Sequence, residues 1–338
     1  MKTSCTCVSV CVQLLFCASM LFAAPQAGRG PLLALERITK FECVREDLFL
    51  YAAGMVPLPG DRLAVTDKLG YSLKILGPDG KVITSIGKRG NAPGEFSGEG
   101  PGDIAYANGH LAVADFASTR IQVFDADLKP TALFYAPGPV CDLQFDRQGR
   151  LWVGACTGDE KAELFTFGAD GALLGSTRLK NSTGDLYNDV FRLGRFVDDL
   201  LMVSFITRNR VEIWNAGGEF INQFIVPGVA DAAPDTAITS TRWLFWTQET
   251  HLPLGRLFMS CAPIRANVFL LLAGEYSAHP FRDTYILDEK GNCLSRFLLP
   301  IEAFKILVEG DMLYVIDKRH TGVTKYRIRR LSERRKEQ

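Results

Sequence analysis

The sequence predicts an all-β fold, a six-bladed β-propeller built from four-stranded antiparallel blades. One observation is a short apolar-x-Val-x-Asp strand that recurs along the chain in three close and three weaker copies. A second is that tight-turn residues, mainly Gly, Asp and Asn, separate segments in which polar and apolar residues alternate. Short alternating strands joined by tight turns are typical of an antiparallel meander. Radial repetition of such meanders buries the faces that a single meander leaves exposed.

The copies of this strand set the number and order of the blades. The close copies are residues 63–67, 111–115 and 313–317, and the weaker ones are residues 151–155, 200–204 and 268–272. Successive copies lie about one blade apart, except that a longer interval before residue 268 predicts an insertion near residues 229–253. A basic C-terminal strand near residues 325–331 is expected to share its blade with an N-terminal strand near residues 35–43. That sharing would close the ring and remove its free edges.

Blade two carries the clearest family resemblance. Residues 86–96, Ile-Gly-Lys-Arg-Gly-Asn-Ala-Pro-Gly-Glu-Phe, precede Pro101-Gly-Asp-Ile104 and the two strands of residues 111–124. This order of glycine-rich loop, Phe, Pro, apolar-x-Val-x-Asp strand and Arg-Ile-x-Val-Phe strand resembles an NHL repeat. The resemblance extends over residues 35–331 and is weakest in blades three to five, where Gly154 and Ser204 stand near the position of the family's Asp. It implies a six-bladed propeller of the kind that bacteria export, and it leaves the function open because this fold serves binding proteins and enzymes alike.

The N-terminus predicts export. Met1 and Lys2 form a short basic start, and residues 8–24 are apolar with small residues toward their end. This pattern is typical of a secretory signal peptide, so we expect residues 1–27 to be removed and residues 28–338 to form one propeller with a basic tail. The mature chain would then be periplasmic or extracellular, with no membrane span. The two alternatives are that the segment stays as a membrane anchor or that the chain is lipidated.

Charge and cysteine content narrow the function classes. Lys+Arg and Asp+Glu both total 38, so no bulk basic character points to nucleic acid. The cysteines outside the leader lack the CxxC spacing of a zinc site. Cys141 and Cys156 are a candidate disulfide, because a turn centred near residues 148–149 would set them opposite each other across a hairpin. The same register would pair Phe145 with Trp152.

The loops that follow the second strands carry the candidate ligand-binding residues. Meander topology places these loops on one face of the propeller, around the mouth of the channel. A concave mouth ringed by positive charge attracts anions, and arginine side chains hold carboxylates or sulfates bidentately. We therefore expect an anionic glycan or peptide to bind there, with a merely solvated face as the alternative because acidic residues such as Glu275 lie nearby. The candidate residues are Tyr71, Arg120, Arg208, Arg210, His279, Arg282, Lys318, Arg319 and His320.

An aspartate ends each close copy of the repeated strand, at Asp67, Asp115 and Asp317. Repetition at one structural position favours capping of the following loop over catalysis, because such a carboxylate can accept hydrogen bonds from the N–H groups of the loop. In blade two, Asp115 is also expected to pair with Arg120.

Two function classes remain. The favoured one is an exported binding or scaffolding propeller for a protein, peptide or glycan, since the sequence has no nucleophile motif, no phosphate loop and no dense histidine cluster. No catalytic residue, metal ligand or cofactor is therefore predicted. The alternative is a metal-dependent propeller enzyme, similar to calcium-dependent lactonases or zinc-dependent amidated-peptide lyases. The lactonase site would need Glu, Asn and Asp at the starts of the inner strands, where we expect Met55, Ile104, Leu143 and Ile306, and the lyase site would need several inward histidines.

Overall fold

The structure is a computed structural model that describes residues 33–42, 50–115, 118–157, 161–184, 189–229, 236–243, 246–253, 256–265 and 268–330. The regular structure of these residues consists of β-strands. They contain no helix, and therefore no helix long and apolar enough to cross a membrane. The leader predicted at residues 1–27 lies outside them.

Six four-stranded antiparallel sheets form the blades of a propeller. Strand β1 (Leu33–Glu42) belongs to the last blade. Blade one contains β2 (Ala52–Leu58), β3 (Arg62–Asp67), β4 (Ser72–Leu76) and β5 (Val82–Ile86), and blade two contains β6 (Pro101–Ala107), β7 (His110–Asp115), β8 (Arg120–Phe124) and β9 (Pro130–Tyr135). Blade three contains β10 (Val140–Phe145), β11 (Leu151–Cys156), β12 (Ala162–Phe167) and β13 (Leu173–Arg178), and blade four contains β14 (Phe191–Leu193), β15 (Leu200–Phe205), β16 (Val211–Asn215) and β17 (Phe220–Phe224).

A separate hairpin follows blade four along the chain. Its strands, β18 (Thr236–Trp243) and β19 (Trp246–Pro253), pair only with each other among the described strands. Blade five then contains β20 (Phe258–Arg265), β21 (Val268–Ala273), β22 (Asp283–Asp288) and β23 (Cys293–Leu298). Blade six contains β24 (Ala303–Glu309), β25 (Met312–Asp317) and β26 (Gly322–Arg330), and β1 completes it as the outermost strand.

The predicted six-bladed architecture is confirmed. Each copy of the repeated sequence forms the second strand of its blade, from β3 in blade one to β25 in blade six. The predicted closure is also confirmed, because β1 pairs antiparallel with β26 along nearly its whole length. The first and last described strands therefore share one sheet.

Apolar side chains fill the space between neighbouring blades. Six buried clusters account for most of the core of the described residues, and each joins two adjacent blades. The cluster between blades six and one contains Met55 and Val65 from one blade and Tyr314 and Ile316 from the other. The second strands are almost entirely buried because both of their faces contact a neighbouring blade. This explains why they are near-continuous apolar runs in the sequence.

The two ends of the propeller carry different connections. We call the end with the loops between second and third strands, such as residues 68–71 and 318–321, the loop face. The opposite end, with the turns between inner and second strands such as residues 59–61 and 310–311, is the turn face. Each inner strand therefore starts at the loop face and ends at the turn face.

A β-bulge interrupts the inner strand near the loop face in five blades. The register shifts lie at residues 52–55, 101–104, 140–142, 258–260 and 303–305. A bulge inserts an extra residue and changes the direction of the side chains beside it. The alternation of polar and apolar residues in the sequence does not reveal the extra residue. The predicted positions on the inner strands are therefore shifted by one residue.

The predicted register of the first hairpin of blade three is wrong by one residue. Phe145 pairs with Leu151 rather than with Trp152, whose partner is Gln144. Cys141 lies in the bulge between Val140 and Asp142, so it has no directly opposed residue. The physical reason is a turn in which the N–H groups of Gly149 and Asp146 donate to the carbonyls of Asp146 and Arg150.

Candidate functional site: the central channel and its two mouths

One residue from each inner strand occupies an equivalent position beside the channel. Each channel residue comes one position before the inner-strand residue that pairs with the centre of the second strand. Those paired residues include Ile104, which lies opposite Val113, and Leu143, which lies opposite Val153. The predicted inner positions Met55, Ile104, Leu143 and Ile306 are instead buried between blades. The equivalent channel residues are Gly54, Asp103, Asp142, Arg192, Ser260 and Lys305.

Four of these channel residues form a charged cluster that connects four blades. The ammonium group of Lys305 makes a close ion pair with Asp103 and lies 3.8 Å from Oδ1 of Asp142. Nη1 of Arg192 lies 3.9 Å from Oδ2 of Asp103. Two carboxylates and two cations give the cluster no net charge. We call these four side chains the channel quartet.

Backbone hydrogen bonds hold two members of the quartet, Asp142 and Arg192, in place. Oδ2 of Asp142 accepts a hydrogen bond from the N–H group of Leu193 at 3.0 Å, and Oδ1 accepts one from Leu143 at 2.8 Å. Nη1 of Arg192 donates to the carbonyl oxygen of Cys141 at 2.7 Å. Both carboxylate oxygens of Asp142 are thus satisfied by groups that belong to rigid strands.

Burial and charge shift the ionisation of the quartet. Asp142 is 1% exposed, and burial together with the neighbouring charge of Asp103 raises its pKa to about 6. Burial alone would lower the pKa of Lys305, but the charges of Asp103 and Asp142 raise it above its ordinary value. The lysine is therefore a fixed cation between two carboxylates.

The two cysteines predicted to meet in blade three have neighbouring sulfur atoms. Sγ of Cys141 lies 3.6 Å from Sγ of Cys156, and both residues are free thiols in the structure. Cys156 is buried, and its thiol also lies 3.6 Å from the carbonyl oxygen of Asp189. The bulge brings the sulfurs together although the two residues are not opposed in the ladder.

A cavity of about 510 Å³ opens at the turn face of the channel. Prolines, aliphatic residues and aromatic rings share its walls with polar side chains such as Asn108 and Arg147. An ion pair between Arg195 and Glu309 joins blades four and six at its edge. Burial lowers the pKa of Arg195 below its ordinary value. The lining residues are Pro57, Leu58, Pro59, Tyr106, Ala107, Asn108, Phe145, Asp146, Arg147, Arg195, Phe196 and Glu309.

The predicted ligand-binding residues lie at the loop face, and Arg120 is among the most buried of them. Its side chain is 4% exposed and pairs with Asp115 at 3.1 Å, as the sequence suggested. Its guanidinium also donates to the carbonyl oxygens of Asn91, Ala92 and Glu95 at 2.9 to 3.1 Å. Arg120 therefore holds the glycine-rich loop between blades one and two.

Four further predicted residues are half-buried, and the side chain of each makes a hydrogen bond. Nη2 of Arg208 bonds to Asp189 at 2.9 Å, and Nη1 of Arg210 donates to the carbonyl oxygen of Asn209 at 2.8 Å. Nε of Arg282 donates to the carbonyl oxygen of Leu299 at 2.8 Å. The hydroxyl of Tyr71 donates to the carbonyl oxygen of Gly98 at 3.1 Å.

The predicted residues of blades five and six differ in exposure. His320 is buried, stacks on Tyr51 with ring centroids 3.8 Å apart, and has its pKa lowered by burial. His279, Lys318 and Arg319 are exposed at the loop face. Lys318 places its ammonium group 3.6 Å from the centre of the Phe281 ring. The structure thus brings few of the predicted cations together as an accessible patch.

Neither calcium nor zinc fits the donor set of the channel. Calcium takes six to eight oxygen ligands, whereas the two carboxylates of the quartet each face the ammonium group of Lys305. The guanidinium of Arg192 adds a second positive charge beside them. Within the described ranges, no three His, Cys, Asp or Glu side chains are grouped as a metal site requires.

Together, the six blades and the charged side chains in the channel define a six-bladed β-propeller with a cavity at its turn face. No protein-family model matches the chain, and no curated protein matches its sequence, so the NHL family remains a resemblance. Among solved structures, the chain is similar to a catalytically inactive virginiamycin B lyase from Staphylococcus aureus with quinupristin. The TM-score is 0.54 at 12% identity, over 87% of this chain and 99% of that chain.

Two further solved structures are similar in fold. One is the β-propeller domain of Cps50 (Swd1) from Myceliophteria thermophila, with a TM-score of 0.52 at 11% identity over 88% of this chain and 100% of that chain. The other is a chain of a mitotic checkpoint complex, with a TM-score of 0.52 at 13% identity over 82% of this chain and 74% of that chain. At such identities the likeness establishes the fold alone.

Proposed function

We propose that this protein is an exported ligand-binding propeller that takes a peptide segment into the turn-face cavity. The cavity itself carries the proposal, because its volume of about 510 Å³ lies within the range of ligand-binding clefts. Such clefts combine apolar walls with a few polar groups. Export is supported by the apolar N-terminal segment, residues 8–24.

The lining of the cavity favours a peptide over a glycan. Leu58, Phe196 and two prolines offer apolar surface that an apolar side chain can cover. Arg195 and Glu309 together offer a cation and an anion, which match the charged groups and the amides of a peptide. One solved structure with this fold belongs to a mitotic checkpoint complex, an assembly of proteins, which agrees with a protein or peptide ligand.

A second candidate places an anionic glycan or peptide on the loop face. The exposed side chains of His279, Lys318 and Arg319 favour it, because exposed cations at one face can approach a carboxylate or sulfate. The buried Arg120 and the half-buried Arg208 do not add to this surface, since their guanidinium groups hold loops of the propeller.

The two candidates are separated by one pair of matched variants. Arg147→Glu changes an arginine that is 60% exposed at the turn-face cavity, and Arg319→Glu changes an exposed arginine at the loop face. Wild type and both variants are applied to arrays of peptides and acidic glycans at two salt concentrations. We expect Arg147→Glu to weaken peptide binding about tenfold or more and Arg319→Glu to leave it unchanged.

The reverse result supports the second candidate, particularly if the loss affects acidic probes and decreases with salt. Binding that neither variant changes contradicts both candidates. Export is tested separately by fractionating cells and measuring the N-terminus of the protein. Recovery of the full chain from the cytoplasmic fraction contradicts that part of the proposal.

A further inference from the structure

We propose that Cys141 and Cys156 form a disulfide that fixes the channel quartet. The sulfur atoms of the two thiols are 3.6 Å apart, on adjacent strands β10 and β11. A disulfide bond is about 2.05 Å long, so the sulfurs need to approach by about 1.5 Å. Rotation of the Cys141 side chain at its bulge provides such a movement, because the residue is not held in the regular ladder.

The backbone around both cysteines is already held together. The N–H group of Cys156 donates to the carbonyl oxygen of Pro139 at 3.2 Å. Gly138 packs so closely on this strand that a Cβ atom there would lie 1.9 Å from the carbonyl oxygen of Cys156. The bond would therefore form without moving the two strands relative to each other.

The two sulfurs have different environments, which sets the order of the reaction. Cys141 is only partly buried, whereas Cys156 is 1% exposed, so in this proposal the oxidant reacts first with Cys141. The hydrogen bond from Cys156 and the charge of Arg192 lower the pKa of Cys141 below its ordinary value. A lower pKa raises the thiolate fraction, and the thiolate is the nucleophile in disulfide exchange.

A low-molecular-weight disulfide, such as oxidised glutathione, supplies the oxidising equivalents. The Cys141 thiolate attacks one sulfur of that disulfide, forms a mixed disulfide and releases one thiolate. Cys156 then attacks Sγ of Cys141 and passes its proton to the departing sulfur, which leaves as the second small thiol. Two protein thiols are oxidised to one protein disulfide, and one small disulfide is reduced to two thiols.

The cross-link would act on the channel through the backbone of residue 141. The carbonyl oxygen of Cys141 accepts the hydrogen bond from Arg192, and the next residue is Asp142. Asp142 in turn accepts a hydrogen bond from the N–H group of Leu193. Immobilising the bulge therefore stabilises the contacts between blades three and four at the centre of the ring.

Peptide mapping of the full chain tests the cross-link directly. The protein is incubated with oxidised glutathione, alkylated without reductant and digested, because its nine cysteines make the intact mass ambiguous. We expect a peptide pair joined through Cys141 and Cys156 in the wild type and in Cys293→Ser, the control that removes an exposed thiol. In the Cys156→Ser variant, we instead expect Cys141 to remain in a mixed disulfide with glutathione.

Three results overturn the proposal: both thiols alkylated after oxidation, a stable glutathione adduct on wild-type Cys141, or Cys141 joined to a different cysteine. If Cys156→Ser does not fold, the wild-type map alone decides.

Hydrogen exchange then tests the effect on the channel. We expect the amide of Leu193 to exchange at least about tenfold more slowly in the oxidised wild type, and no such change in Cys141→Ser. An equal rate in oxidised and reduced wild type contradicts the coupling to the channel.

Discussion

Replacing Lys305 by methionine should be one of the most damaging single changes in the propeller. The side chain of Lys305 is 10% exposed, and its ammonium group lies between the carboxylates of Asp103 and Asp142. Methionine keeps the length and the apolar stem of the side chain but removes the charge. The two carboxylates then remain buried with only Arg192 nearby, at 3.9 Å from Asp103.

The expected loss follows from the burial of Asp142, which is 1% exposed. Removing one partner of a buried ion pair lowers the free energy of unfolding by about 3–5 kcal/mol, because the other charge is left without compensation. The loss should shrink as the pH falls from 8 to about 5. Without the lysine, the pKa of Asp142 rises beyond its value of about 6, and the protonated side chain needs no cation.

Urea denaturation of the full chain at both pH values provides the measurement. The matched control is Lys81→Met, which removes an ion pair with Asp79 whose side chains are 86% and 59% exposed. We expect the control to change the free energy of unfolding by less than about 0.5 kcal/mol. A loss below about 1 kcal/mol for Lys305→Met, or a loss that is equal at the two pH values, would refute the reasoning.

The remaining predictions concern a loop, a glycine and a titrating carboxyl. Arg120→Ala should lower the free energy of unfolding by about 3 kcal/mol or more, because it leaves buried acceptors unpaired. In the same urea experiment, Arg319→Ala should lower the free energy of unfolding by less than about 0.5 kcal/mol. Gly100→Ala should be far more destabilising than Gly98→Ala, although both glycines have positive φ. A Cβ atom at Gly100 would lie 2.0 Å from a backbone oxygen, whereas a Cβ atom at Gly98 would meet nothing within 4 Å. Asp142→Asn should flatten the pH dependence of unfolding between about pH 4 and pH 6. The folded carboxyl, with its pKa of about 6 against an ordinary 3.8, keeps a proton there that the unfolded chain loses, so its contribution to stability falls by about 3 kcal/mol as pH rises. An unchanged slope in the variant, a near-equal loss for the two glycines, or a harmless Arg120→Ala each contradicts the corresponding argument.

The blades could be predicted from the sequence because burial on both faces leaves a strong local pattern. Second strands such as β7 and β25 are apolar runs that end in aspartate, and this pattern requires no knowledge of the neighbouring blades. The pairing of β1 with β26 could be predicted from the need to close the ring. Both inferences use only strand composition and topology.

The channel quartet was missed by one residue. Ile104 and Ile306 were predicted at the starts of inner strands, and the charged residues that lie at the channel directly precede them. The signal was present, since a charged residue inside an otherwise apolar inner strand needs a partner. The register could not be obtained, because bulges depend on contacts between strands and not on local alternation.

The loop-face cations show a different limit. Arg120 and Arg319 both follow a second strand, yet one is buried with four acceptors and the other is exposed. Loop residues alone do not distinguish a cation that holds the fold from one that meets solvent. Three of the four acceptors of Arg120 lie in the loop between blades one and two, and only the packed structure brings them to it.

The pairing of β1 with β26 has a consequence for the order of folding. Five blades are built from contiguous sequence, so each can form from local hairpins as soon as its own strands have been synthesised. The sixth joins segments from opposite ends of the described chain and cannot be completed until the last strand is available. Until then the apolar clusters on the two sides of blade six lack Val323 and Tyr326, which β26 supplies. We therefore expect ring closure to be the last step, and a chain that stops short of β26 leaves the edges of β1 and β25 without a partner.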